Sequence, residues 1–371
     1  MDSLNGVVKT ALIVKYGEVN PYQRLPKQLV IPLAGSHLYS HGIVLFPCKG
    51  AIRPFYYHPL FIYTMELIYF TRSLVSLLIP ERNREYFIYS GDYMFFIRAK
   101  THINVAATQY MLVGMSILTL NAARYYVKQK PEFLECYKFL AGKCTPVKAG
   151  LRNGKHINGL VVRSKAIFNM TQFNTRLVFV VSFVMSIFPL MVNSSSTQTL
   201  LFGLPWSIVF AISSFYTFSA YFWNIAYFYI LCHLIKYRLR ETGDRACRAV
   251  QFPSQFRQTS QYVMEKQVMD VSDKVRLYNS TYWASILFFI VFFMSTFLNV
   301  VLFAALFAPM SWIVQTSLFY AAGLSVLAIF FLLNTASVVY HESNNVRASL
   351  GRMYVALHGS LGYRALFKVQ H

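Results

Sequence analysis

The chain has 371 residues, of which 56% are hydrophobic, 17% are aromatic and only 13% are charged. Soluble globular chains carry about a quarter charged residues, and this chain sets 35 Lys and Arg against 14 Asp and Glu. An apolar chain with a basic excess is typical of a multi-span membrane protein with basic cytoplasmic loops. We find no soluble basic face with a reading motif, so no nucleic-acid partner is expected.

Six segments are apolar and long enough to cross a bilayer, which takes about 20 mostly apolar helical residues. The predicted spans are 56–79, 103–123, 176–192, 204–235, 282–307 and 312–340. The expected fold class is therefore an all-α, multi-span transmembrane helical bundle. The run 29–47 carries no formal charge but holds two His, two Gly and two Pro, and we interpret it as a buried or interfacial element.

The basic residues alternate from one connection to the next. The Lys and Arg counts are six in 1–55, four in 80–102, ten in 124–175, none in 193–203, nine in 236–281, none in 308–311 and four after 340. Because basic loops stay on the cytoplasmic side, both termini are expected to be cytoplasmic. This topology argues against a G-protein-coupled receptor, which has seven spans and an outside N-terminus. The predicted organisation is an N-terminal cytoplasmic or interfacial segment (1–55), a membrane bundle (56–340) and a cytoplasmic tail helix (341–371).

This orientation predicts the redox state of the cysteines and the accessibility of the glycosylation signals. The five cysteines, which we expect to be reduced thiols near or inside the cytoplasm, are Cys48, Cys136, Cys144, Cys232 and Cys247. Their spacing does not predict a metal site. The signals at Asn169 and Asn279 fall in cytoplasmic segments, whereas Asn193 lies in an uncharged outside loop and is the candidate for glycosylation.

Two apolar stripes at helical spacing lie beside the last two spans. The first leads without a break into the fifth span and comprises Met264, Val268, Val271, Val275, Tyr278 and Tyr282. The second follows the sixth span and comprises Val339, Val346, Leu350, Met353 and Leu357. They predict two long helices projecting into the cytoplasm, with residues 264–278 as an anchor. Such faces need burial, either against each other or against another subunit.

Several stretches resemble the arthropod gustatory receptors, within the insect chemoreceptor superfamily. The stretches are GIVLFP (42–47), AYFWNIAYFYILCHLIKYRLRE (220–241), VRLYNSTYWASILFFIVFFMSTFLNVVLFAALFAP (275–309) and TASVVYHESNNVRASLGRMY (335–354). The similarity covers 275–357 in sequence and the remainder only in topology. The chain departs from the family at its C-terminus, because the last 31 residues contain no seventh, pore-lining span. A chain truncated there is expected not to conduct ions alone.

The resemblance implies a plasma-membrane, ligand-gated cation channel that detects a small molecule such as a tastant. It also implies assembly as a homo- or hetero-tetramer, with no cofactor. The ligand pocket would lie in the outer halves of spans two to six, for which the candidate residues are Trp206, Tyr216, Phe218, Asn299, Gln315 and Tyr320. Aromatic faces with a few polar groups suit small, mostly apolar ligands, although membrane aromatics commonly pack in the core.

Glu66 is an acid placed deep within the first predicted span. Intramembrane acids are costly and often functional, so Glu66 is a candidate for gating. The structural alternative is that it faces the bundle and hydrogen-bonds a Tyr or a Ser.

Two alternatives to a receptor channel remain from the sequence, namely a six-span transporter and a non-conducting membrane ligand-binding protein. A transporter would commonly show a repeat of its first three spans, or helices broken near mid-membrane, and we see neither. An enzyme is not expected, because the histidines are scattered and form no catalytic constellation. The seven that we considered are His41, His58, His102, His156, His233, His341 and His358.

Overall fold

The computed structural model describes residues 19–31, 57–79, 138–193, 197–251, 258–307 and 312–368. The helices are α1 (Tyr57–Leu78), α2 (Gly154–Asn193), α3 (Thr197–Gln251), α4 (Gln258–Tyr278), α5 (Ala284–Phe307) and α6 (Trp312–Lys368). A 3-10 turn, Pro146–Ala149, precedes α2, and a π-helical turn, Asn279–Trp283, joins α4 to α5. The protein is an all-α membrane helical bundle, and these ranges contain no strand.

Four of these helices contain segments whose length and composition suit a membrane crossing. The segments are Gly154–Phe188, Leu200–Gln251, Ala284–Phe307 and Leu318–Ala356. They overlap the third to sixth predicted spans, and α1 occupies the position of the first. The second predicted span, 103–123, and the stretch at 42–47 lie outside the described residues.

Three helices are much longer than a bilayer requires. Helices α2, α3 and α6 have 40, 55 and 57 residues. At 1.5 Å per residue, α6 is about 85 Å long, against about 30 Å of hydrocarbon. Helix α2 begins at Gly154, well before the predicted span at 176. The prediction started late because Lys155 and Arg163 break the apolar run, although the helix continues through both residues.

Helix α3 lies at the centre of the described bundle. It packs against α1, α2, α4 and α6, while α5 packs mainly against α6. Its fully buried Trp223 and Tyr227 contact Phe168 of α2, with ring centroids 5.3 and 5.5 Å apart. Tyr229 of α3 stacks on Phe331 of α6 at 5.0 Å. This aromatic layer holds the long helices together, since close packing rather than water exclusion drives association inside a membrane.

The π-helical turn changes the register of the stripe that leads into α5. On α4, Val271 and Tyr278 are buried at a spacing of seven residues. The next buried position among the described side chains is Trp283, five residues after Tyr278, whereas the side chain of the predicted Tyr282 is outside the described set. The stripe then resumes regular spacing along α5 at Ile286, Ile290, Met294, Phe297, Val301 and Ala305. One inserted residue therefore separates the phases of the two helices.

The predicted anchor residues on α4 face the interior of their own subunit. Met264 packs in a small buried cluster with Ala246 and Ala249 of α3 and Met353 of α6. Val271 and Tyr278 belong to the main core, and Val268 and Val275 pack against it. The stripe at 264–278 thus finds its burial within the subunit, which was one of the two alternatives left open by the sequence.

Candidate functional site

Helices α1 and α3 meet along a contact surface that we call the α1–α3 seam. Thr217 of α3 donates a hydrogen bond from its hydroxyl to Glu66 of α1. Tyr69 packs on Phe210 with ring centroids 5.0 Å apart, and the Arg72 guanidinium carbon lies 4.7 Å from the centre of the Trp206 ring. The residue numbers rise along α1 while they fall along α3, so the two helices run antiparallel.

Glu66 is completely buried in this seam, with an exposed fraction of 0%. Its Oε1 accepts the Thr217 hydrogen bond, whereas its Oε2 has no hydrogen-bond partner among the described residues. A buried carboxyl oxygen without a donor is costly, and more so at membrane depth. Glu66 therefore faces the bundle as expected, but its bonding partner is a threonine rather than a Tyr or a Ser.

Arg72 and Trp206 close one end of the seam. The Arg72 guanidinium lies over two rings, 4.7 Å from the Trp206 centroid and 5.6 Å from the Tyr69 centroid. An aromatic face attracts a cation within about 6 Å. Trp206, one of the predicted ligand residues, thus contacts the same α1 face that carries Glu66.

Small hydroxyl side chains add to the polarity of the seam. Ser73 and Ser76 share the buried face of α1 with Glu66, and Ser213 lies between Phe210 and Thr217 on α3. The hydroxyls of these three serines have no hydrogen-bond partner among the described residues. Sequence reasoning missed the serines because isolated serines are common in apolar helices. Their spacing of seven and ten residues from Glu66 on α1 is the signal that could have found Ser73 and Ser76 with it.

The other predicted ligand residues lie elsewhere. Phe218 stacks on Phe222 of the same helix at 5.8 Å, and Tyr320 is half-buried on α6. Asn299 is exposed on α5, and the Gln315 side-chain amide donates to the Ala305 carbonyl at 2.8 Å, which ties α6 to α5. Tyr216 lies in α3, but its side chain is outside the described set. The structure thus puts Trp206 against Arg72 in the same seam as Glu66, and puts Asn299 and Gln315 on a different helix pair.

The remaining predicted modification and thiol sites are also positioned. Asn193 is the last residue of α2, and its side chain is outside the described set. Cys232 and Cys247 are free thiols, and Cys144 is half-buried beside the main core. Over the described ranges, no group of three or more His, Cys, Asp or Glu side chains is arranged to hold a metal ion.

A second buried acid, Glu241 of α3, organises the start of α2. Its carboxylate accepts hydrogen bonds from the backbone N–H of Asn153 at 2.8 Å and of Arg152 at 3.0 Å. His156 Nδ1 lies 3.5 Å from Glu241 Oε1. Burial would raise the pKa of Glu241, but these donors outweigh it and the pKa is lowered. Asn153 in turn caps α2, since its Oδ1 accepts from the Lys155 N–H at 2.9 Å.

The fold is similar to a solved insect chemosensory protein. The structure of the insect olfactory receptor OR5 from Machilis hrabei superimposes with a TM-score of 0.64 at 14% identity, covering 91% of this chain and 87% of that one. At this identity the likeness shows a shared fold. No known protein family and no curated protein matches the sequence.

Proposed function

We propose that the protein is a chemosensory receptor subunit of the insect chemoreceptor superfamily, of the gustatory type. In this proposal it is a multi-pass plasma-membrane protein with a cytoplasmic N-terminus, and it contributes to a ligand-gated cation channel. The observation that carries the proposal is the fold shared with an insect olfactory receptor over 91% of the chain. The resemblance of residues 275–357 to gustatory receptors supports the finer assignment independently, because it was seen in sequence rather than in fold.

The α1–α3 seam is the place where we propose that ligand binding or gating acts on the protein. Glu66 Oε2 lacks a donor among the described residues, and the buried hydroxyls of Ser73 and Ser213 on the same two helices have no partner among them either. A small, mostly apolar molecule with one hydroxyl or amine group matches this combination. A rearrangement that supplies Glu66 with a new partner would also be favoured, because it removes an unsatisfied buried oxygen.

Subunit association is proposed to use the face of α4 that points away from the core. Tyr262 and Met269 lie seven residues apart on this face and are 66% and 67% exposed. They are more exposed than the other exposed apolar residues of α4, Val263 and Leu277, and lie opposite the buried stripe at 264–278. A tetramer that covers them is consistent with the assembly that the family resemblance implies.

The functional test is a current measurement in cells that express the full chain, alone and with candidate partner subunits. A ligand that evokes a cation current should lose potency with Glu66→Gln and with Trp206→Ala. The matched control is Thr71→Val, on the same helix, because Thr71 is exposed and bonds only its own helix at the Leu67 carbonyl. Evoked currents that are unchanged by both seam variants would contradict the role of the seam.

Assembly is tested separately by the size of the complex in lipid nanodiscs. Replacing Tyr262 and Met269 with Lys should reduce the tetramer, whereas Ser272→Lys, an exposed position on the flank of α4, should not. A wild-type chain that remains a monomer, with and without partner subunits, would contradict the proposed channel.

A further inference from the structure

A polar cavity lies where α3, α4 and the loop before α2 meet. Its volume is about 200 Å³, which equals roughly six or seven water molecules at about 30 Å³ each. Its lining includes five charged side chains and the amide of Gln267, and the charged residues are Arg152, Arg238, Glu241, Arg245 and Asp270. It is separate from the α1–α3 seam, and neither the proposed channel nor the family resemblance assigns it a role.

The cavity has an excess of positive charge. Of its two acids, Glu241 is engaged by the backbone N–H groups of Arg152 and Asn153. Asp270 pairs with Arg238 at 3.0 Å and is shared with Lys274 at 3.1 Å. The wall therefore carries three arginines against two acids, a net charge of +1, and Lys274 adds a further positive charge by sharing Asp270.

Arg245 is held in the wall by a neutral group. Its Nη1 donates to Gln267 Oε1 at 3.1 Å, and within the described part of the chain neither Arg152 nor Arg245 makes an ion pair. Burial and the nearby charges of Arg152 and Arg248 lower the pKa of Arg245, despite the opposing effect of Glu241. A half-buried cation with two other cations near it is stabilised by an added anion.

Gly150 fixes the position of the third arginine. It has a φ of +81°, and a Cβ added there would lie 2.5 Å from Arg238 Nε. The Arg238 side chain therefore lies directly against bare backbone, and a side chain at position 150 would displace it from this place.

The depth of the cavity matches the headgroup layer, given the proposed cytoplasmic orientation of this end. Arg238 and Arg245 follow the predicted end of the span at 235 on a continuous helix. At 1.5 Å per residue, they lie about 5 and 15 Å beyond the hydrocarbon. Basic pockets at this level are suited to phosphorylated lipid headgroups.

We propose that this cavity binds a phosphate monoester, such as that carried by a phosphorylated inositol headgroup or by a soluble inositol phosphate. The fork of a guanidinium matches two oxygens of one phosphate group, and Arg152 and Arg245 approach from different elements. The bound phosphate would link the start of α2 to α3 and α4, and so join the membrane bundle to its cytoplasmic extension.

The test uses the full chain reconstituted in phosphatidylcholine nanodiscs. Inositol trisphosphate, short-chain phosphatidylinositol bisphosphate and inorganic phosphate are titrated by calorimetry, and binding is expected for at least one of them. Arg152→Gln and Arg245→Gln should each weaken the affinity about tenfold or more, since each removes a charge-assisted contact. The matched control is Arg352→Gln, which removes the same charge from an exposed position on α6.

The outcomes separate the two sources of the phosphate. Binding of the short-chain lipid without binding of inositol trisphosphate would assign the site to a membrane lipid. Equal binding of both would assign it to the phosphorylated headgroup itself, whether free or in a lipid. The proposal is overturned if no probe binds, or if Arg352→Gln weakens binding as much as the two cavity variants. Because neither measurement needs a ligand-evoked current, failure of the channel proposal would leave this test intact.

Discussion

Two buried glutamates, Glu66 of α1 and Glu241 of α3, have opposite hydrogen-bonding environments. Glu241 accepts three hydrogen-bond contacts from two backbone N–H groups and lies beside His156. Glu66 accepts one, from Thr217. Burial is nearly the same, at 7% and 0% exposed. The number of donors therefore distinguishes a carboxyl group that holds helices in place from one that is available to a new partner.

Among the changes that test this difference between Glu241 and Glu66, the removal of Glu241 is expected to cause the largest loss of stability. Glu241→Ala would leave the N–H groups of Arg152 and Asn153 buried without an acceptor, at about 1–3 kcal/mol each. We expect a loss of about 2–4 kcal/mol in unfolding free energy, measured as a lower thermal midpoint in detergent. Asp244→Ala is the control, because Asp244 is half exposed and should cost about 1 kcal/mol or less. Equal losses for the two variants would contradict the capping role.

A glycine exchange tests how tightly the Glu241 region is built. Gly150→Ala places a Cβ against Arg238 and forces a left-handed backbone on alanine, so we expect a destabilisation of about 1–3 kcal/mol. Gly323→Ala is the control, because a Cβ there meets nothing within 4 Å in a helix interior. It should be neutral or stabilising by about 0.5–1 kcal/mol. Thermal unfolding of both variants checks the sign, and a stabilising Gly150→Ala would show that the region can relax.

Removing the Thr217 hydroxyl, which donates to Glu66, tests the other glutamate of the pair. Thr217→Val keeps the side-chain shape and deletes the hydroxyl, so both carboxyl oxygens of Glu66 would lack a described partner. We expect a stability loss of about 1–2 kcal/mol, with a larger relative change in any ligand response. The comparison variant is Thr71→Val, whose hydroxyl bonds its own helix on the exposed side of α1. A response that follows stability alone would assign Thr217 a purely structural role.

Lowering the pH is expected to have the smallest effect on stability of the four tests, and it is reversible. The pKa of Glu241 is lowered below its ordinary value of 4.5, so the charged form stabilises the fold above that pH. This contribution is lost as the pH falls through the lowered folded-state value. The thermal midpoint of the wild type should therefore fall more on acidification below about 4.5 than that of Glu241→Gln. Parallel pH profiles for the two proteins would argue that Glu241 does not change its pKa on folding.

The sequence predicts the apolar middles of the helices well and their ends poorly. Residues 204–235 and 282–307 carry no charge, so hydropathy alone reveals them. The first turns of α2 contain Lys155 and Arg163, which end an apolar run although the helix continues through them. Helix length outside the membrane depends on packing against other helices, and the α2 start depends on Glu241, which lies 88 residues away from Asn153 in sequence.

The candidate site is predictable only in part for a similar reason. An acid in an apolar span draws attention by itself, so Glu66 could be singled out from its neighbours. Its partner Thr217 is one of many hydroxyl residues on α3, and only the antiparallel contact with α1 selects it. Asn299, Gln315 and Trp206 are equally good candidates for ligand binding when only the sequence is considered. In the structure, Asn299 and Gln315 lie on α5 and α6, away from the α1–α3 seam.

The π-helical turn at Asn279–Trp283 makes one long rod from two helices whose apolar faces point in different directions. An extra residue corresponds to a rotation of about 100° around the helix axis. Converting this turn to regular α-helix would twist α4 against α5 by that angle, and would pull either Tyr278 or Trp283 out of the core. Trp283 packs on Phe228 of α3 at 5.3 Å, so the twist would also be transmitted to the central helix. The π-helical turn thus sets the rotation of the polar helix α4 relative to the apolar helix α5.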